Sequence, residues 1–217
     1  MDNQPNVGND LVRIHKVITR ALNISLHNTQ DTRIPEGHRL GFLSYVRALT
    51  ILLHAHHLGE DELAFPFWKV RFPTGPFDEL SRQHRQMIVH LERIEQWTKA
   101  EDELWETRAL NELHIAFSDL HNIWVAHIAL EEDTIGPEKS LQYLSPSENE
   151  TLGRQLSEHG QARSQPGELV MPFIVYNLSG ADRIEFIKLL PPVVSNQLIP
   201  FAWKALWEPM IPFLQME

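Results

Sequence analysis

The sequence contains no cysteine among its 217 residues. This absence excludes disulfides, thiolate metal sites, iron–sulfur clusters and cysteine nucleophiles. No stretch approaches the ~18 uninterrupted apolar residues that a membrane span needs, and the opening MDNQPNVGND has neither the basic nor the apolar region of a signal peptide. The sequence therefore predicts a soluble, cytoplasmic protein in which any metal must be held by histidine and carboxylate side chains.

Positive charge is also scarce, with 19 Lys+Arg against 29 Asp+Glu and a formal net charge of -10. The acidic residues are scattered along the chain and form no acidic tail. This balance disfavours nucleic acid and anionic membrane surfaces as partners. No Ser-His-Asp arrangement, phosphate loop or nucleotide fingerprint stands out, so hydrolase and nucleotide-dependent functions rank low.

Sustained alternation of apolar and polar residues is absent, whereas four long segments carry apolar residues at helical spacing. This pattern predicts an all-α protein. The segments run from about Asp10, as the N-cap, to Asn28, from Glu36 or His38 to Pro66, from Pro76 to Thr98 and from Asp102 to Ile135. Short breaks between long helices favour antiparallel neighbours, and therefore an up-down four-helix bundle over residues 1–137.

Residues 138–217 differ in character, because nine of the 14 prolines lie at or after Pro137. The run Ser145-Pro146-Ser147-Glu148 has the order of a helix start with a capping box, and helices beyond Pro166 must be short. The segment is rich in large apolar residues that must be buried against something. We expect a helical extension that packs on the bundle; the alternative is a surface for a homodimer or a protein partner.

Histidine is unusually frequent, with 12 in the chain, and each long helix places one on its apolar face. These four residues are His15, His56, His84 and His127. Glu60 and Glu131 follow two of them by four residues, which puts each pair on one helix face. Both pairs belong to a longer pattern, His-x3-Glu-x5-Pro, for which the chance expectation in this chain is about 0.07.

Glutamates on an apolar helix face indicate a bound cation. Burying Glu60 and Glu131 would cost several kcal/mol each without a compensating partner, and two facing carboxylates would repel each other. Two divalent ions bridged by the carboxylates resolve both problems. Imidazole and carboxylate without thiolate suit a di-iron or di-manganese centre better than structural zinc, although zinc stays open. The alternative is a metal-free bundle in which the histidines are hydrogen-bonded to the glutamates.

The segments LLHAHHLGEDELAFP and HIALEEDTIGP resemble the paired histidine–glutamate motifs of hemerythrin-like, or HHE cation-binding, domains. LVRIHKVITRAL and LSRQHRQMIVHL match the single-histidine positions of that family, so the resemblance covers about residues 10 to 137. It implies His15, His56, His84 and His127 as terminal ligands, and Glu60 and Glu131 as carboxylates that bridge two irons.

Two departures separate the chain from oxygen-carrying hemerythrins. Those proteins have His-x3-His on the third helix, where this chain has Ile88, and His-x4-Asp on the fourth, where this chain has His-x3-Glu. Fewer histidine ligands would leave coordination positions open for a small molecule but disfavour reversible oxygen carriage. His57 or Glu132 could supply a further ligand, since each adjoins an expected one.

The register of the second helix has an alternative, because His57 and Asp61 form a second pair four residues apart. Alignment on Pro66 favours His56 and Glu60. The remaining histidines are expected to lie away from the metal: His27, His38, His54, His90, His114, His121 and His159.

Two functions follow from these residues. The first is a non-haem di-iron protein that binds O2 or a related small molecule, such as peroxide or NO, for sensing, storage or detoxification. The second is an iron- or oxygen-responsive interaction module without turnover, whose C-terminal segment engages a partner.

Overall fold

The structure is a computed structural model that describes residues 6–30, 34, 37–99 and 108–216. Helices dominate these residues and none of them lies in a strand, which confirms the all-α class. No helix in this part of the chain combines the length and apolar character needed to cross a membrane. The first five helices are α1 (Val7–Gln30), α2 (Arg39–Gly59), α3 (Phe65–Arg71), α4 (Phe77–Thr98) and α5 (Leu110–Ile135).

Most predicted helix ends agree with the structure. Helix α4 begins directly after Pro76 and ends at Thr98, and α5 ends at Ile135, before Gly136. The prediction of Asp10 as an N-cap was wrong, because α1 already begins at Val7 and Asp10 lies in its first turn. The predicted helix starts at Glu36 and Asp102 lie outside the described residues.

The second helix was predicted to end at Pro66 and the RFPTGP stretch. Pro66 does not end it, whereas the helical path does end at Arg71, where that stretch begins. A π-helix, Glu60–Ala64, follows α2 directly and leads into α3, so the helical path continues to Arg71. Pro66 lies in the first turn of α3, where a missing backbone N–H costs little. A π-turn also adds a residue to the helical repeat. Leu63 and Phe67 continue the regular helical spacing after Glu60, but the buried residues are instead Ala64, Phe65 and Trp68.

The four long helices pack side by side in a closed order. Helix α5 contacts α1 and α4, and α2 contacts the same two helices from the other side. Their shared core includes Leu22, Leu49, Leu91 and Phe117, all fully buried. This set of neighbours is the one that the predicted up-down four-helix bundle requires; the bundle itself stays a prediction.

Short helical segments follow the long ones, as predicted. They are α6 (Pro137–Tyr143), α7 (Pro146–Arg163), α8 (Gly167–Asn177), α9 (Gly180–Leu189), a π-helix (Val194–Ala202), α10 (Lys204–Trp207) and a 3-10 helix (Glu208–Phe213). The capping box at the start of α7 is confirmed. The Ser145 hydroxyl accepts from the Glu148 backbone N–H, and the Glu148 carboxylate accepts from the Ser145 backbone N–H at 2.9 Å.

The C-terminal segments share a core with the long helices. Phe173 and Trp207 belong to the same buried cluster as the apolar residues of α1, α2 and α5. The Tyr45 hydroxyl of α2 donates to the Asn177 side-chain oxygen of α8 at 2.7 Å. A Cβ added at Gly41 would lie 1.8 Å from the Pro209 carbonyl oxygen, so the backbones are in close contact there. This packing favours the extension over a free partner segment; the domain boundary at residue 137 stays a prediction.

Candidate metal centre

Seven donor side chains converge between α1, α2, α4 and α5 in two adjacent groups. One group consists of His15, His56, Glu60 and Glu131, and the other of His57, His84 and His127. Within each group the ligand-type atoms all lie within 4.8 Å of one another. The structure therefore brings together all six residues singled out from the sequence and adds His57.

The helical repeat explains how distant residues reach one place. In α4 the buried residues are spaced three or four apart, and His84 lies among them between Leu80 and Met87. In α5 the same repeat places His127 and Glu131 on the buried face that also carries Trp124. Each helix therefore turns its histidine toward the interior by the same periodicity that buries its apolar residues.

Glu60 connects the two groups. Its Oε1 lies 3.1 Å from His56 Nε2 in the first group, and its Oε2 lies 3.4 Å from His84 Nε2 in the second. Glu131 is placed similarly, because its Oε2 lies 3.1 Å from His15 Nε2 and 3.3 Å from His127 Nε2. Both carboxylates thus lie between two sets of imidazoles, the position of a bridging ligand.

The buried polar atoms of the centre lack hydrogen-bond partners, which tests whether these residues suit a metal. Glu60 and Glu131 are 3% and 0% exposed, yet none of their four carboxylate oxygens makes a hydrogen bond. His56 Nε2 and both ring nitrogens of His57 are also without partners. Unsatisfied buried polar groups are costly and rare in proteins. Bound cations would satisfy the carboxylate oxygens, His56 Nε2 and one ring nitrogen of His57, so the residues fit a metal centre.

Three imidazoles are oriented by hydrogen bonds on their outer side. His15 Nδ1 donates to Glu132 at 2.8 Å, His84 Nδ1 donates to Asp61 at 3.0 Å, and His127 Nδ1 donates to Gln83 at 3.0 Å. In a neutral imidazole this leaves Nε2 as the acceptor, facing the centre, which is the usual arrangement of metal-binding histidines. Asp61 and Glu132, left open as ligands by the sequence, thus hold histidines and belong to neither donor group.

The two imidazoles of α4 and α5 come unusually close. His84 Nε2 and His127 Nε2 are 3.2 Å apart. Because both rings donate through Nδ1, two Nε2 lone pairs face each other in the neutral tautomers. The lone pairs repel unless a cation or a proton lies between them, which again favours a bound cation.

Burial and charge shift the pKa values of the centre in opposite directions. Burial, together with the charge of Glu131, raises the pKa of Glu60 to about 8. Burial acts on Glu131 in the same sense, but the imidazoles of His127 and His15, within 3.3 Å of its Oε2, hold the pKa of Glu131 well below the usual range. Burial lowers the pKa of His56 and His57 well below the usual range, which favours the neutral imidazole that binds metals.

His57 is the candidate metal ligand that the sequence left undecided. It is buried, and its ring stacks on His84 with the centroids 4.0 Å apart. It supplies a fifth imidazole from α2, whereas Ile88 of α4 stands where an oxygen carrier has its additional histidine. Adjacent residues point about 100° apart on a helix. Two adjacent histidines can therefore belong to two different donor groups. The adjacent pair His56-His57 was the feature of the sequence that indicated this arrangement.

Trp124 packs against the candidate centre, and the other histidines lie outside the two donor groups. The Trp124 ring packs edge-on against His15, with centroids 5.3 Å apart, and its Nε1 donates to the Thr19 hydroxyl at 2.8 Å. The remaining seven histidines belong to neither donor group in the described part of the chain. His159 of α7, for example, contacts Glu62 at 2.8 Å.

These observations define the class: a helical protein with a buried cluster of histidines and glutamates that can hold metal. The family comparison agrees, because the family described as the Hemerythrin HHE cation binding domain matches residues 7–138. The chain therefore belongs to the hemerythrin HHE cation-binding family. Searches of curated proteins and of solved structures found no match to the chain.

Proposed function

We propose that the chain is a non-haem di-iron protein that binds O2 or a related small molecule, such as peroxide or nitric oxide, for sensing, storage or detoxification. The observation that carries this proposal is the pair of donor groups joined by Glu60, which offers one carboxylate oxygen to each group. A single ion would use only one of the groups. Two groups with carboxylates between them suit two ions.

The charge and number of the donors favour iron or manganese over structural zinc. Glu60, Glu131, Asp61 and Glu132 place four negative charges at the centre when ionised, and two divalent ions balance them. Structural zinc sites use four protein ligands and are closed. Five imidazoles and two bridging carboxylates do not fill two octahedral ions, so positions remain for a small molecule.

Two iron ions, when bound, would supply exchangeable coordination positions and redox capacity. The protein's own residues hold and orient the imidazoles, and they exclude bulk water: His84, His127 and Glu131 are fully buried. A shallow groove of about 440 Å³ lies beside His15, and its lining includes Lys16 and Glu132. The groove is open enough for a small polar molecule.

Metal analysis with an optical spectrum tests this proposal. Protein purified in air should contain about two iron ions per chain and show ligand-to-metal absorption in the near ultraviolet. Addition of peroxide or nitric oxide should change that absorption. Metal content near zero after anaerobic reconstitution, or iron-loaded protein without any such absorption, would contradict the proposal. Zinc or manganese at two ions per chain would support a two-ion centre but contradict iron as its metal.

A second candidate function is an iron- or oxygen-responsive interaction module. It is favoured by large apolar side chains on the C-terminal segments that are open to solvent, among them Phe201 at 75% and Leu206 at 55% exposure. Under this function, metal loading should change the size of the assembly in solution, measured by light scattering, while no turnover is seen. Phe201→Ser should abolish that change and retain the metal. A size independent of metal loading would contradict it.

A further inference from the structure

A largely apolar cavity of about 240 Å³ lies next to the metal centre. Its wall on the side of the long helices includes Leu11 and Ile14 of α1, Leu52 of α2 and Trp68 of α3. The donor residues His56 and Glu60 form part of the same wall. The cavity therefore reaches the first donor group directly.

The C-terminal extension supplies the opposite wall. Leu156 of α7, Met171 and Ile174 of α8, and Phe186 of α9 line it. The long helices alone would leave their side of the cavity as an open apolar surface. Packing of residues 138–217 thus creates an enclosed space beside the donors, which gives the extension a role beyond covering the core.

Two glycines of α7 keep the cavity wide. Gly153 and Gly160 are two helical turns apart, both line the cavity, and a Cβ added at either position meets no atom within 4 Å. Glycine in the interior of a helix costs roughly 0.5–1 kcal/mol relative to alanine. Neither position requires glycine to avoid a clash with the protein, so the free space is available to a bound molecule.

The cavity opens beside α9. Leu189 lines it and is nevertheless 67% exposed, and no residue of α9 is buried. Asp182 holds α9 to α1 through Lys16 at 2.7 Å and Arg13 at 3.9 Å. The charged groups at this end are therefore already paired with one another. Among the lining atoms without hydrogen bonds, His56 Nε2 and the Glu60 oxygens lie at the inner end, and Arg13 Nε lies at the α9 end, where it faces Asp182.

From this arrangement we infer that the cavity binds a small aliphatic molecule with one uncharged, oxygen-bearing end, its apolar body between α1 and α7 and its polar end toward His56 and Glu60. A cavity of about 150 Å³ holds benzene, so the volume here suits roughly ten non-hydrogen atoms. A medium-chain alcohol has this size and polarity. The binding of the apolar body is independent of the proposed function, whereas the orientation of the polar end rests on it.

Titration calorimetry of the full chain with 1-octanol tests this inference, with iron-loaded and metal-stripped protein measured in parallel. We expect saturable one-to-one binding, a negative heat-capacity change, and affinity at least about tenfold higher than for 1-butanol. Octanoate should bind more weakly, because the charged groups near α9 are already paired. Binding that is not saturable, or equal affinity for 1-butanol, would overturn the inference. Tighter binding of octanoate than of 1-octanol would contradict the inference that the polar end of the bound molecule is uncharged.

Substitutions at Gly153 locate the binding site. Gly153→Phe should fill the cavity and weaken 1-octanol binding at least about tenfold, while Gly153→Ala should leave it within about twofold. Leu156→Trp provides an independent blocking variant, and circular dichroism identifies which variants are folded. Unchanged affinity in a folded blocking variant would place 1-octanol elsewhere and refute the assignment.

Metal content separates this inference from the proposed function. The blocking variants should keep the wild-type metal content, and metal-stripped wild type should still bind 1-octanol. Absence of iron with intact 1-octanol binding would contradict only the proposed function. In iron-loaded wild type, 1-octanol should shift the near-ultraviolet absorption, and Gly153→Phe should not show that shift; an unshifted spectrum at saturation would refute the orientation of the polar end.

Discussion

Replacing both Glu60 and Glu131 with glutamine removes two buried charges and keeps the shape of both side chains. These carboxylates have opposite effects on stability in the metal-bound and the metal-free protein. With cations bound they are ligands, and without cations they are buried groups whose oxygens make no hydrogen bonds. The double variant should therefore lose metal and, at the same time, stabilise the metal-free chain.

The size of both effects follows from the geometry. Ligand oxygens of Glu60 and Glu131 lie within 4.8 Å of each other. At that separation two unit charges repel by about 3 kcal/mol at an effective dielectric constant of about 20. Above about pH 8, where Glu60 is ionised as well as Glu131, glutamine at both positions should raise the free energy of unfolding of metal-free protein by up to this amount. Metal at about 1,000 times its dissociation constant stabilises the wild type by about 4 kcal/mol.

Thermal unfolding with and without a chelator measures both effects. A stabilisation of about 4 kcal/mol corresponds to a Tm shift of about 8–16 °C in a protein of this size, so the chelator should lower the wild-type Tm by that much. The chelator should not change the Tm of the double variant, whose metal content should be close to zero. Urea unfolding of the metal-free proteins compares their stabilities directly.

Glu62→Gln is the matched control, because Glu62 lies on the same π-helix as Glu60 but its side chain is 46% exposed and pairs with His159. It should keep both the metal and the chelator response. A double variant that retains metal would refute the assignment of the carboxylates as ligands. A metal-free double variant markedly less stable than metal-free wild type would refute the unfavourable burial of the two charges.

Three further predictions concern the second donor group and the packing of the extension. His57→Ala should lower the metal content from about two ions per chain toward one, measured by elemental analysis, because its group keeps only two imidazoles. Gly41→Ala should lower the free energy of unfolding in urea by at least about 1 kcal/mol, since its Cβ would lie 1.8 Å from a backbone carbonyl oxygen. Gly153→Ala, whose Cβ meets no atom, should instead raise the free energy of unfolding by about 0.5–1 kcal/mol. Arg71 hydrogen-bonds Glu148 and holds its pKa at about 2, below the ordinary value of 4.5. The stability that this contact contributes should be present above about pH 4.5 and be lost as the pH falls toward 2. Arg71→Gln should show a smaller acid-dependent loss in urea unfolding, because only the hydrogen bonds from Ser145 then lower the pKa of Glu148.

The residues of the candidate site could largely be found from the sequence, because ligand residues on a helix repeat with the core. His84 between Leu80 and Met87 is placed by periodicity alone, and so is Glu131 four residues after His127. The site residues and the buried face of the second helix were harder to predict. Its alignment on Pro66 selected Glu60, which the structure places in the first donor group, but periodicity cannot show that a π-helix begins there and moves the buried face by one residue.

Contacts between distant residues could not be predicted in the same way. Nothing in the sequence pairs Gln83 with His127, or Asp61 with His84, because these hydrogen bonds depend on how the helices are rotated against each other. The same holds for His57, which needed the position of His84 before its role could be decided. The cavity beside the centre depends on α7, α8 and α9, whose placement no local pattern specifies.

The sequence by itself determined the helical class, the capping box at Ser145 and the kinds of donor available to a metal. These features are local: they arise from the helical repeat, from neighbouring residues, and from the absence of cysteine. Only the tertiary structure decided that Glu60 joins two groups, that His57 completes the second, and that the extension encloses a cavity. Such features depend on how elements far apart in the chain pack together. Burial of their apolar faces fixes this packing, and it does so only when all of the helices are in place.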